Sequence, residues 1–131
     1  MTMKSLKDCY ELPNGTKIPC LGFGTWKAPN NEVAITAIHT AIECGCRHID
    51  AAATYENEDT VGEAIKTCGI SRDELFITSK LWNTERTYEK ALAAFDKTLK
   101  DLKVDYLDLY LIHWPVPEKI HETWKILEKL Y

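Results

Sequence analysis

Four short apolar runs, at residues 21–26, 46–50, 75–80 and 106–113, recur about every 30 residues, and each is followed by a stretch of helical periodicity. That alternation admits few folds. Strand–helix–strand units of this length build parallel sheets with right-handed crossovers, which sets the class as α/β. The first helical stretch opens at Asn30 or Asn31, carries Val33, Ala34, Ala37, Ile38, Ala41 and Ile42, and closes at Gly45. The second covers 58–68 with Gly69 at its end, and a capping-box pattern from Ser71 to Glu74 introduces the third strand. The third, 87–102, repeats Leu92, Phe95, Leu99 and Leu102; the fourth, 118–131, places Ile120, Trp124, Leu127 and Tyr131 on one face. Ahead of the first unit, Asn14-Gly15 between 9–12 and 17–19 predicts a hairpin.

With 131 residues, 45% of them hydrophobic and 27% charged, the chain has the material for one domain with a real core. The net charge of -4 comes from 16 basic and 20 acidic residues scattered along the sequence. No basic stripe points to nucleic acid and no polybasic segment to a membrane surface. The opening MTMKSLKDCY lacks the apolar centre of a secretory signal, and no run approaches the roughly 18 apolar residues of a membrane span. A cytoplasmic location is the expectation, and five irregularly spaced cysteines (9, 20, 44, 46, 68) suit a reduced compartment.

The polar residues fall at corresponding ends of the apolar runs. Asp50 closes the second, Lys80 the third and His113 the fourth, while Tyr55 stands in the loop after Asp50. In parallel α/β architectures the carboxyl ends of all strands share one face of the sheet, so these side chains converge despite their separation in sequence. Period-2 counting puts Phe76, Thr78 and Lys80 on one face of their strand and Leu107, Leu109, Leu111 and His113 on one face of theirs. A carboxylate, a phenol, an ammonium and an imidazole together suggest proton transfer. Free phenol ionises near pH 10, roughly, and a close cation stabilises its anion. Lys80 is that candidate cation, paired and aimed by Asp50, and a neutral His113 would hydrogen-bond a carbonyl.

The segment from Gly45 to Gly62, GCRHIDAAATYENEDTVG, closely resembles the signature of the aldo-keto reductase family, and LGFGTWK, ITSKLWN and LDLYLIHWP resemble further family segments in order and spacing. The resemblance implies a (β/α)8 barrel of the TIM type that reduces aldehydes or ketones to alcohols with NADPH or NADH. It implies a catalytic tetrad of Asp50, Tyr55, Lys80 and His113, with Tyr55 as proton donor and hydride delivered from the nicotinamide. Cofactor contacts would come from Gly24, Thr25, Trp26, Asp50 and Tyr55, and substrate contacts from Trp26, Trp82, His113 and Trp114. No metal is expected: Cys44, Cys46 and His48 lack a fourth ligand. Gly22-Phe23-Gly24 is no dinucleotide fingerprint, because Lys27 stands where its third glycine belongs. His39 and His121 read as solvated or capping residues.

A complete barrel of this type takes about 250 residues and eight strands. Residues 1–131 are therefore expected to supply the N-terminal half, a hairpin and about four βα units, with no second domain. On that reading catalysis needs the other half and the chain is a truncated reductase. The alternative is a non-catalytic half-barrel that self-associates through its open edges as a structural or cofactor-sensing subunit.

Overall fold

A computed structural model of the chain describes residues 3–131; the first two residues of the segment read for a leader lie outside them. The hairpin forms from β1 (Cys9–Glu11) and β2 (Lys17–Pro19), antiparallel with Tyr10 opposite Ile18. Its turn is closed where expected, with Gly15 at φ +83° and the Asn14 side chain accepting from the Thr16 amide.

Four strands follow, β3 (Phe23–Gly24), β4 (His48–Asp50), β5 (Phe76–Leu81) and β6 (Leu109–Ile112), in one parallel sheet of order β3-β4-β5-β6. Gly24 pairs with Asp50, Asp50 with Thr78, and Thr78 with Leu109. The crossovers are α1 (Glu32–Glu43), α2 (Glu58–Thr67) and α3 (Tyr88–Leu102), and α4 (Ile120–Leu127) follows β6. Asn31 caps α1 through the Val33 amide, and Thr87 caps α3 through the Lys90 amide. Among the described residues no helix is long and apolar enough to cross a membrane.

The core lies between the sheet and the helices. Ile38 and Ile42 of α1, Val61, Ala64 and Ile65 of α2, and Leu102 of α3 close over Ile49 and Ile77 from the strands. The opposite face of the sheet carries the alternate residues, among them Thr78, which is buried, and His48, Asp50 and Lys80, which are half-buried. α2 crosses α3 so closely at Gly62 that an added Cβ would stand 2.2 Å from the Asp101 carbonyl oxygen. His39, expected to be solvated or capping, meets the Ala64 carbonyl in the last turn of α2 through Nε2 at 3.0 Å and so ties α1 to α2.

Several boundaries differ from the sequence expectation. Val33 is 66% exposed, and of the α1 stripe only Ala34, Ile38 and Ile42 are buried. The fourth strand begins at Leu109, because Asp108 Oδ2 takes the Ile77 amide at 2.8 Å and replaces a backbone partner. That carboxylate is itself held by Arg72 at 2.7 Å. The last helix begins at Ile120, since Glu118 adopts φ +69°, outside the helical region. Its predicted apolar face is partly in solvent, with Trp124 and Tyr131 exposed. Ser71 does bond Glu74, but the pair closes a single 3-10 turn, Arg72–Glu74.

Candidate active site

The carboxyl ends of the strands bring the predicted residues together. Lys80 extends from the Asp50 side of β5 and its Nζ donates to Asp50 Oδ1 at 2.8 Å, to the Ala51 carbonyl at 2.8 Å and toward the Tyr55 hydroxyl at 3.4 Å. Its side chain is only 13% exposed, so the ammonium sits in a shielded setting where ionic contacts outweigh their strength in water. Tyr55 ends a 3-10 turn, Ala53–Tyr55, and Glu56 follows in the left-handed region at φ +56°. That turn, rather than a strand, aims the phenol back across the opening.

His113 follows β6 and is fixed by its amide, which donates to the Leu81 carbonyl at 3.1 Å. Its ring meets those of Tyr55 and Trp82 edge-on, at 5.8 and 5.1 Å between centroids, and stacks on Trp114 at 6.1 Å. Burial first, then the Lys80 ammonium, pull its pKa below the usual imidazole range against the opposing effect of Asp50. The ring is accordingly neutral at neutral pH, and its buried Nδ1 has no partner among the described residues. One nitrogen can donate while the other accepts. His48 lines the same face deeper in the sheet, its Nε2 2.9 Å from Thr78 Oγ1, and burial lowers its pKa as well.

The remaining predicted residues divide. Gly24 leaves open space where a side chain would stand. Thr25 is fully buried and its hydroxyl donates to the Asp50 carbonyl at 3.2 Å, so its side chain braces the sheet instead of facing the opening. Trp26 and Trp114 are 67% and 58% exposed, with Lys27 Nζ 4.5 Å above the Trp26 ring.

Two residues carry more than the sequence reading gave them. Asn57 is buried and donates through Nδ2 to the Thr25 and Ala28 carbonyls at 2.9 and 3.0 Å. Glu58, also buried, accepts from Ser79 Oγ at 2.5 Å and Thr98 Oγ1 at 3.0 Å. A signal was available: Glu58, Val61 and Ile65 fall at helical spacing, which places a carboxylate on the core side of α2.

The family profile described as "Aldo/keto reductase family" matches residues 20–131. The chain belongs to the aldo/keto reductase family. It is 53% identical over 127 residues to the glyoxal reductase of Bacillus subtilis, a match covering 97% of this chain and 46% of that protein. It is 50% identical over 118 residues to the aldehyde reductase YPR1 of Saccharomyces cerevisiae, covering 90% of this chain and 37% of the relative. Among solved structures, an aldo/keto reductase from Brucella melitensis superimposes with TM-score 0.89 at 46% identity, covering 98% of this chain and 50% of that one. The aldose reductase of Schistosoma japonicum gives 0.86 at 41% identity, covering 94% and 48%. The chain thus spans about half the length of the relatives it matches. Its parallel sheet and βα units correspond to part of the (β/α)8 barrel of those aldo/keto reductases.

Proposed function

We propose that this chain carries the proton-transfer half of an NAD(P)H-dependent carbonyl reductase, with Tyr55 as the proton donor. One observation carries the reading: a shielded ammonium lies 2.8 Å from Asp50 Oδ1 and 3.4 Å from the Tyr55 hydroxyl. As a carbonyl is reduced its oxygen gains negative charge and takes the phenolic proton. Lys80 then faces the oxygen left behind on Tyr55 and offsets its charge where solvent does so poorly. Asp50 aims the ammonium. His113, neutral and held by its ring contacts, orients the carbonyl by donating a hydrogen bond.

The residues fit a flat cofactor ring and a small substrate. Gly24 opens the end of β3, and Trp26, Trp82 and Trp114 offer aromatic surface after β3, β5 and β6. Gly24, Trp26, Asp50 and Tyr55 would border the ring, with the Thr25 backbone between them. When bound, a reduced nicotinamide, NADPH or NADH, supplies the hydride that reaches the carbonyl carbon. The rest of the nucleotide would be held by the part of the family barrel that this chain does not span.

Fusing the chain to the second half of the Bacillus subtilis glyoxal reductase gives a barrel-length test protein. Tyr55→Phe in that fusion is expected to abolish most glyoxal-dependent oxidation of NADPH while leaving nucleotide binding, followed by fluorescence quenching, in place. Unchanged turnover removes Tyr55 from its role. A second reading, self-association, is favoured by the edges of β3 and β6, which have no partner strand among the described residues, and by exposed Leu111 and Trp114. Light scattering that finds a folded monomer counts against it.

A further inference from the structure

The Tyr55 segment and the Lys80 strand are joined twice, once on each side of the sheet. On one side Lys80 Nζ reaches Asp50, the Ala51 carbonyl and the phenol. On the helix side Ser79, the residue before Lys80, donates to Glu58 Oε1 at 2.5 Å, and Glu58 stands three residues after Tyr55. Its other oxygen accepts from Thr98 of α3 at 3.0 Å.

We propose that Glu58 is a positioning residue: its buried carboxylate, held between Ser79 and Thr98, fixes the distance of the Tyr55 hydroxyl from the Lys80 ammonium. The inference rests on the assignment of Tyr55 and Lys80 as the proton-transfer pair.

The chain between the two ends of this bridge has little slack. From Tyr55 it passes through Glu56, held left-handed, and Asn57, whose side chain is bonded to the loop after β3, before it reaches Glu58. Three residues span at most about 10 Å, so fastening Glu58 to β5 confines the phenol as well. Along β5 successive side chains point to opposite faces, so holding Ser79 on one side orients Lys80 on the other.

Chemistry also separates this role from ordinary packing. Among the described residues no cation lies within ion-pair distance of Glu58, and burial raises its pKa while the two hydroxyls lower it. A buried carboxylate without a cation costs stability that an apolar side chain of similar volume would not. What the carboxylate adds is two directed acceptors, one to β5 and one to α3, which set the turn at Tyr55 in a single arrangement.

The test has two parts. In the chain itself, Ser79→Ala, which deletes one arm, and Glu58→Ala, which deletes both, are compared by amide hydrogen exchange. The amides of Tyr55 and Glu56, bonded to the Ala52 and Ala53 carbonyls, are expected to exchange at least about tenfold faster while Ile49 and Ile77 are unchanged. Equal acceleration at all four amides, or none, overturns the proposal. In the barrel-length fusion, Glu58→Ala is expected to lower kcat about ten- to a hundredfold with KM moved less than about threefold. In a Tyr55→Phe background the same substitution is expected to cost nothing further, because its effect passes through the phenol. An unchanged kcat for Glu58→Ala, or an equal loss in both backgrounds, refutes the positioning role. If Tyr55→Phe alone leaves turnover intact, the proton-donor assignment fails instead.

Discussion

Gly62→Ala gives the clearest test of how α2 is seated. Gly62 lies inside α2, where alanine is favoured over glycine by about 1 kcal/mol, so helix propensity alone predicts stabilisation. The packing predicts the reverse. The new Cβ would stand 2.2 Å from the Asp101 carbonyl oxygen and 2.7 and 2.8 Å from the Leu102 carbonyl carbon and Cα, all backbone atoms that cannot turn aside. Restoring even a 3.0 Å contact requires the helices to part by at least about 0.8 Å. Overpacking of this kind costs about 1–3 kcal/mol, and contact with backbone puts the site at the upper end. Subtracting the propensity gain leaves a loss of about 2 kcal/mol, or roughly thirtyfold in the folding equilibrium. With a urea m-value of about 2 kcal/mol/M, the unfolding midpoint followed by far-ultraviolet circular dichroism falls by about 1 M. A midpoint that stays or rises refutes the close crossing of α2 on α3.

Other outcomes follow from the same contacts. Lys80→Met in the barrel-length fusion is expected to lower kcat by at least about a hundredfold with nucleotide affinity retained; steady-state kinetics beside a binding titration decide it. Asp108→Ala orphans the Ile77 amide and breaks the contact with Arg72, at a cost of about 2–3 kcal/mol by urea denaturation, and an unchanged midpoint refutes its place at the head of β6. His48 has its pKa lowered by burial, so the fold prefers the neutral ring; stability present above about pH 6.5 drains away as pH falls through the lowered folded value. The urea midpoint, measured between pH 7.5 and 5, roughly, is expected to fall less steeply in His48→Phe than in the natural sequence.

The parallel order of the strands and the convergence of Asp50, Lys80 and His113 were legible because both follow from period and topology. Four apolar runs fix the sheet, and the sheet fixes which ends meet. The pairing of Lys80 with Tyr55 was expected, but not the tight turn ending in left-handed Glu56 that sets it at 3.4 Å, a conformation that glutamate does not advertise. The bond from the Thr25 hydroxyl to the Asp50 carbonyl is likewise one that no local pattern encodes. The late start of β6 has the same origin. A side-chain carboxylate stands in for a backbone acceptor, and only tertiary structure decides between the two.

The alternation within β5 has a consequence for how this segment can vary. Phe76, Thr78 and Lys80 belong to the face that carries Asp50, with Lys80 alone of the three half-buried, while Ile77, Ser79 and Leu81 are all buried toward the helices. Deleting one residue ahead of Phe76 while the strand kept its pairing would exchange the two sets, carrying Lys80 to the helix side in the place of Ser79 and setting Leu81 where the ammonium stands. Length changes near this strand are therefore tolerable only in pairs, or in loops long enough to absorb a half-step before the sheet begins.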